Sequence, residues 1–209
     1  MRCDWGRCRQ HAEVLRLHAQ MVSEGLEATA EIYSFVILAH GATKQWGRAQ
    51  GLWEELCRQG LPKSARAYRA VVLAASWNEQ WECAVDTFDA MRAAGFSQNA
   101  RSYEQAIAAC GRLGRWEQAL RLVSAMRAEC GRPTAPSVRL AMAACNSAQQ
   151  WAETLELLQQ IRTSGPPPDE EILLEAMAAC EQQGERALRA DLNAELSSLT
   201  SQNARLPVV

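Results

Sequence analysis

Three histidines, eight cysteines and a scatter of paired carboxylates are the residues of this 209-residue chain whose types could do chemistry. His11-Ala12-Glu13 supplies the H-x-E half of a zinc deaminase signature, in which histidine holds the metal and glutamate moves the proton. The P-C-x-x-C that must complete the ligand set is missing. His18 and His40 stand apart, with no nucleophile arrangement readable from their spacing, so they are expected as packed or surface helix residues. Asp86 and Asp89, and Glu153 and Glu156, sit three apart, a spacing common on exposed helix faces. Gly41, Gly47 and Gly51 do not form a phosphate-cradling loop. No C-x-x-C occurs and no two histidines have metal-ligand spacing, which argues against structural zinc. On this reading the chain is not an enzyme, holds no metal and needs no cofactor or small-molecule substrate.

The elements that position these residues follow from a single period. Trp46, Trp81, Trp116 and Trp151 stand 35 residues apart, and Tyr33, Tyr68 and Tyr103 keep the same step, as do Cys110, Cys145 and Cys180. Self-similarity at such a period marks stacked supersecondary units, each covering the apolar face of its neighbour. The three lattice cysteines align with Ala75, so they read as small buried hydrophobes in a reducing compartment and not as a disulfide framework.

Within Ala100–Thr134, Tyr103, Ala106, Ile107 and Cys110 share one helical face. The stretch Gly111 to Gly114 is expected to break that helix. Trp116, Ala119, Leu120, Leu122, Val123 and Met126 then stripe a second helix ending near Cys130-Gly131. Each unit is therefore a helix hairpin, and small pairs such as Ala74-Ala75 and Ala108-Ala109 mark close helix approach. The expected division is a half-repeat at 1–29, repeats at 30–64, 65–99, 100–134 and 135–169, a degenerate capping repeat at 170–200 and a disordered tail at 201–209. Gly165-Pro166-Pro167-Pro168 reads as a turn into a helix capped by Asp169. Leu188, Leu192, Leu196 and Leu199 stripe the closing helix. At the start, Val14, Leu17, Met21 and Gly25 fall on the lattice of a second helix without its first. The chain therefore reads as a piece of a longer array or one with a mis-assigned start. The same lattice membership argues against a transit or signal peptide, despite Arg2, Arg7 and Arg9.

Apolar residues make up 48% and charged residues 22%, as in a soluble folded protein. A net charge of -2 gives no strong non-specific pull toward nucleic acid or an anionic membrane. Charge-free stretches such as 32–43 and 140–152 are too short to span a membrane.

The pattern resembles the pentatricopeptide repeat family. Tyr103 opening a first helix, then Ala119-Leu120, Leu122, Met126 and Gly131, reproduce that family's unit, and the resemblance covers roughly residues 8 to 200. A tryptophan opening each second helix is a variation on it. The resemblance implies an all-α, right-handed superhelical solenoid whose first helices line a groove for single-stranded RNA, about one base per repeat. It implies an organellar setting, chloroplast or mitochondrion, with the cytoplasm as the alternative, and work in RNA processing or expression. In that family the residue after the opening aromatic and the last residue of the unit together choose the base. Those slots here are Ser34 with Ser64, Arg69 with Asn99, Glu104 with Thr134, Arg139 with Asp169, and Leu174 with Ala204. The first pair alone has a small hydrogen-bonding group at both places. Arg66 and Arg101 would join Arg69 and Arg139 on the first-helix surface as backbone contacts, against Glu31, Glu104, Glu171 and Glu181. Two readings stay open: RNA binding, and a protein-interaction scaffold that uses the concave surface or the N-terminal helix.

Overall fold

The computed structural model describes residues 5–164 and 167–203; of residues 5–9, 164, 202 and 203 only the backbone is described. The described residues form eleven helices and no strand. The expected tail from 204 onward, Arg2, Gly165 and Pro166 lie outside the described residues. The chain divides into two compact units, Met1–Gln98 and Asn99–Val209.

The N-terminal unit holds α1 (Trp5–Ser23), α2 (Ala30–Ala42), α3 (Trp46–Arg58), α4 (Ala65–Trp77) and α5 (Trp81–Ala93). Helix α2 packs on α1, α3 and α4, and α4 packs on α5. Its core is Tyr33, Ile37, Ala49, Leu56, Ala67, Ala70, Val71 and Ala74; all but Ala67 and Ala70 fall on lattice positions the repeat pattern assigned to the interior. Helices α2 and α4 come close together at Gly41. A Cβ there would lie 2.4 Å from the Ala74 Cβ, so only glycine lets α2 and α4 meet at that height. Asn78 tightens the same crossing, its Nδ2 donating to the carbonyls of Gly41 at 2.9 Å and Ala74 at 2.7 Å.

The C-terminal unit holds α6 (Ala100–Arg112), α7 (Trp116–Cys130), α8 (Ala135–Ser147), α9 (Trp151–Ser164), α10 (Glu170–Gln183) and α11 (Arg186–Asn203). Its interior carries Tyr103, Ile107, Cys110, Met126, Met142, Cys145, Leu158, Ile172, Leu173, Cys180 and Leu192. Asn146 links successive hairpins here. Its Nδ2 donates to the Glu175 backbone carbonyl at 3.0 Å and carboxylate at 2.7 Å, while its Oδ1 accepts from Thr154 at 2.7 Å. Helix α6 runs through Gly111, so the break falls on Leu113 and Gly114 instead of opening at Gly111. A Cβ on Gly111 would lie 3.3 Å from the Ala144 Cβ, a tight approach that explains the residue inside the helix. Helix α11 continues to Asn203, three residues into the stretch expected as tail.

Local signals set the helix ends at the same period. Thr29, Ser64, Asn99, Thr134 and Asp169 are the N-caps of α2, α4, α6, α8 and α10, each side chain accepting the N–H three residues on. Inside the hairpins, Lys44, Glu79, Gly114, Gln149 and Gly184 all take positive φ, between 60° and 75°. The following N–H returns to the helix, as in Gln80 to the Ala75 carbonyl at 2.9 Å and Gln150 to that of Cys145 at 2.8 Å. Three of these five left-handed positions are not glycine, a strain of about 1 kcal/mol each that hairpin packing sustains. The four lattice tryptophans open α3, α5, α7 and α9, and all are half-buried instead of enclosed.

Candidate nucleic-acid interface

The exposed face of each first helix repeats at helical spacing, and the expected slots lie on or beside it. In the N-terminal unit Glu31, Phe35 and Arg66 are exposed, while Arg69, Leu38 and Leu73 are half-buried. Ser34, the slot with the most suitable chemistry, is only 2% exposed, and its hydroxyl donates to the Ala30 carbonyl at 2.9 Å. A serine at this step of α2 is too short to reach the surface that longer side chains reach from the equivalent positions. Its partner slot, Ser64, caps α4 at 3.2 Å.

In the C-terminal unit the slots engage one another and their neighbours. Asn99 caps α6, its Oδ1 accepting the Ser102 N–H at 2.9 Å and hydroxyl at 2.8 Å. Thr134 caps α8 and donates its hydroxyl to Glu104 at 2.8 Å. Arg139 is ion-paired with Glu171 at 2.5 Å, and Asp169 caps α10 at 2.9 Å. Arg101 is exposed, Leu174 is exposed, and Ala204 lies outside the described residues. Glu181 is ion-paired with Arg189. On this face Arg139 is thus offset by a carboxylate in direct contact, while Arg101 stands exposed. Exposed pairs of this kind contribute little to stability but do reduce the positive potential offered to a phosphate.

The N-terminal unit differs. Arg66 lies over the Phe35 ring, its guanidinium carbon 5.0 Å from the centroid, with Arg69 one turn further along α4. Sequence reasoning placed Arg66 on this surface but missed Phe35, whose neighbour Ser34 held the expected slot. The signal that could have found it is the lone large aromatic at its lattice position, where sister units carry Ala70, Gln105, Leu140 and Glu175.

Among the residues first weighed for chemistry, Glu13, His40 and Cys145 are held in structural surroundings. Glu13 pairs with Arg16 at 2.6 Å on one exposed face of α1. His40 is buried with its Nδ1 2.9 Å from the Gln45 side-chain oxygen; burial pushes its pKa below the ordinary range, and the charges of Arg48 and His18 act in the same direction. Cys145 is buried, and loss of solvation pushes its thiol up to about 11, so it is no nucleophile at neutral pH. Among the described residues no group of three His, Cys, Asp or Glu is placed to hold a metal. No described helix is long and apolar enough to cross a membrane.

Comparison with known proteins agrees with the repeat geometry. The sequence profile of the PPR repeat matches residues 101–130, the hairpin of α6 and α7. No curated protein matches the chain. Among solved structures, the crystal structure of the pentatricopeptide repeat protein PPR10 from maize shares 20% identity, with a TM-score of 0.60. PPR10 in complex with an 18-nt psaJ RNA element shares 25% identity with a TM-score of 0.66. A cysteine-to-serine form of that complex gives the same values. Each comparison covers 90% of this chain and 27% of the PPR10 chain, so the chain spans about a quarter of the length of these relatives. With the 35-residue hairpins, the capped first helices and the matched repeat together, the chain is similar in repeat and in fold to pentatricopeptide repeat proteins.

Proposed function

We propose that the chain binds single-stranded RNA along the exposed faces of its first helices, without catalysis, in organellar RNA processing or expression. The observation that supports this most is the fold likeness to PPR10 held on its RNA element, extending over 90% of the chain. The organelle and the absence of catalysis rest on family resemblance. In this reading the repeats are 30–64, 65–99, 100–134 and 135–169 with a capping repeat at 170–200. Ser34, Ser64, Arg66, Arg69, Asn99, Arg101, Arg139 and Asp169 remain the candidate RNA residues, with unequal roles. Ser64, Asn99 and Asp169 spend one acceptor on a helix cap, and Ser34 is buried. Base choice is therefore weak, and the free arginines of α4 dominate contact with the phosphates. Titration of labelled single-stranded RNA at two salt concentrations tests this. A steep loss of affinity with salt supports phosphate contacts; no binding at low salt overturns the reading.

A second reading has its own support. Leu17, Val22 and Leu26 are exposed on and just after α1, although lattice-equivalent Leu122 and Leu157 are buried. Val22 and Leu26 line a cleft of about 650 Å³ with His18, Glu27, Tyr33, Leu52, Gln59 and Leu61. Such a patch suits a protein partner. Concentration-dependent self-association in sedimentation, without RNA binding, favours the scaffold.

A further inference from the structure

We propose that Phe35 and Arg66 form a nucleobase-stacking platform on the N-terminal unit, an RNA contact separate from the base-choosing slots. The inference rests on the RNA reading and names where its affinity resides.

Phe35 is the one aromatic among the exposed large hydrophobic side chains of the described residues, with 47% of its surface in water. Leaving that much of an aromatic ring in solvent forgoes the burial that Tyr33, two residues earlier and turned about 200° around the helix, obtains. The ring is not loose. Arg66 crosses from α4 to lie over it at 5.0 Å, which orients the ring and sets a planar cation beside it. Leu38, one turn on along α2, and Leu73, further along α4, are half-buried. Arg69, at i+3 from Arg66, supplies a second cation on the same face of α4. Glu31, one turn before Phe35, is the carboxylate of this surface, and it stands on the side of the ring away from Leu38 in sequence.

The chemistry recognised by such a surface is a planar heterocycle attached to a polyanion. An aromatic ring with a guanidinium stacks an unpaired base through its π-face, and this interaction tolerates any base because all bases have one. The cations meet the flanking phosphates. A ring and a cation presented together, on the exposed face of two successive first helices, are matched to an unstacked strand. The platform also accounts for the contrast between the two units, since the arginine of the C-terminal slot, Arg139, is already held by Glu171.

The test uses the full chain, with fluorescein-labelled oligoadenylate and oligouridylate followed by anisotropy at two salt concentrations. Phe35→Ala is expected to weaken binding roughly tenfold, more for oligoadenylate, whose bases stack better, with the salt slope unchanged. Phe35→Trp is expected to retain binding, and Phe35→Leu, which keeps apolar bulk without a π-face, to lose it. Arg66→Gln is expected to weaken binding and lower the salt slope by about one. If the parent binds and Phe35→Ala binds equally well, the platform is overturned and the RNA reading stands. If the Ala, Leu and Trp variants all lose binding alike, with lowered melting points, the ring is structural and the platform is likewise overturned. If the parent fails to bind either oligonucleotide at low salt, both the platform and the RNA reading fall.

Discussion

Glu104 and Thr134, 30 residues apart, are joined by a hydrogen bond of 2.8 Å in which the threonine hydroxyl donates to the carboxylate. These are the two positions that the family resemblance assigns to choosing a base, and here they satisfy each other. The same hydroxyl oxygen accepts the Ser137 N–H at 3.3 Å, so Thr134 is used both as cap and as clasp. Glu104→Asn removes a carboxylate that repels phosphate and releases the Thr134 hydroxyl. RNA affinity at low salt is expected to rise by up to about fivefold, on the order of 1 kcal/mol, and the gain to shrink at high salt. Anisotropy titration of parent and variant measures it; an equal or lower affinity would show that this face does not meet RNA.

Two glycines of neighbouring helices should respond in opposite senses. Gly41→Ala drives a methyl into Ala74 across the crossing of α2 and α4, and is expected to destabilise by about 1 to 3 kcal/mol. Gly47→Ala in α3 meets nothing within 4 Å, so restored helix propensity should stabilise by roughly 0.5 to 1 kcal/mol. Denaturant melts read both; equal effects would mean the close approach is not real.

The half-buried tryptophans set a smaller cost than the sequence suggests. Full burial would make Trp116→Ala cost about 3 to 5 kcal/mol. With part of the ring in water, about 2 kcal/mol is expected from the area removed. A melt indistinguishable from the parent would place this ring outside the hairpin packing.

Acid should loosen the N-terminal unit through His40. Its folded pKa lies below the unfolded value near 6.5, so the unfolded chain binds the proton first as pH falls. The contribution of neutral His40 to stability is present above that unfolded value and is lost as pH falls through the lowered folded pKa. Thermal melts from neutral pH to about 5 are expected to show a larger drop for the parent than for His40→Gln. Parallel curves would refute the assignment.

Thiol chemistry should separate the cysteines. Exposed Cys130 is expected to alkylate quickly at mildly alkaline pH, and buried Cys145, with its thiol pushed up to about 11, only on unfolding. Since the unfolded thiol ionises first, Cys145 also makes stability fall as pH rises from its ordinary value near 8.5 toward 11. Mass-resolved labelling at timed intervals checks the order; simultaneous labelling would contradict the burial.

Much of the fold was legible because its determinants are local. The 35-residue step, the Tyr and Cys positions of the core, the hairpin form and the cap at Asp169 depend on helical spacing and on side chains bonding to backbone three residues away. A residue's place on a helix face is set by the chain alone. What it meets there is not. The clasp of Thr134 on Glu104, the pairing of Arg139 with Glu171, the burial of Ser34 and the stacking of Arg66 on Phe35 each join separate helices or depend on how their surfaces meet. So do the left-handed turns at Lys44, Glu79 and Gln149, where closure of the hairpin outweighs the preference for glycine. Periodicity determined which elements form and which sides they bury. Only the crossing of those helices decided which polar groups are consumed within the protein and which are left facing outward, because hydrogen bonds and ring contacts act over a few ångströms that no one-dimensional spacing specifies.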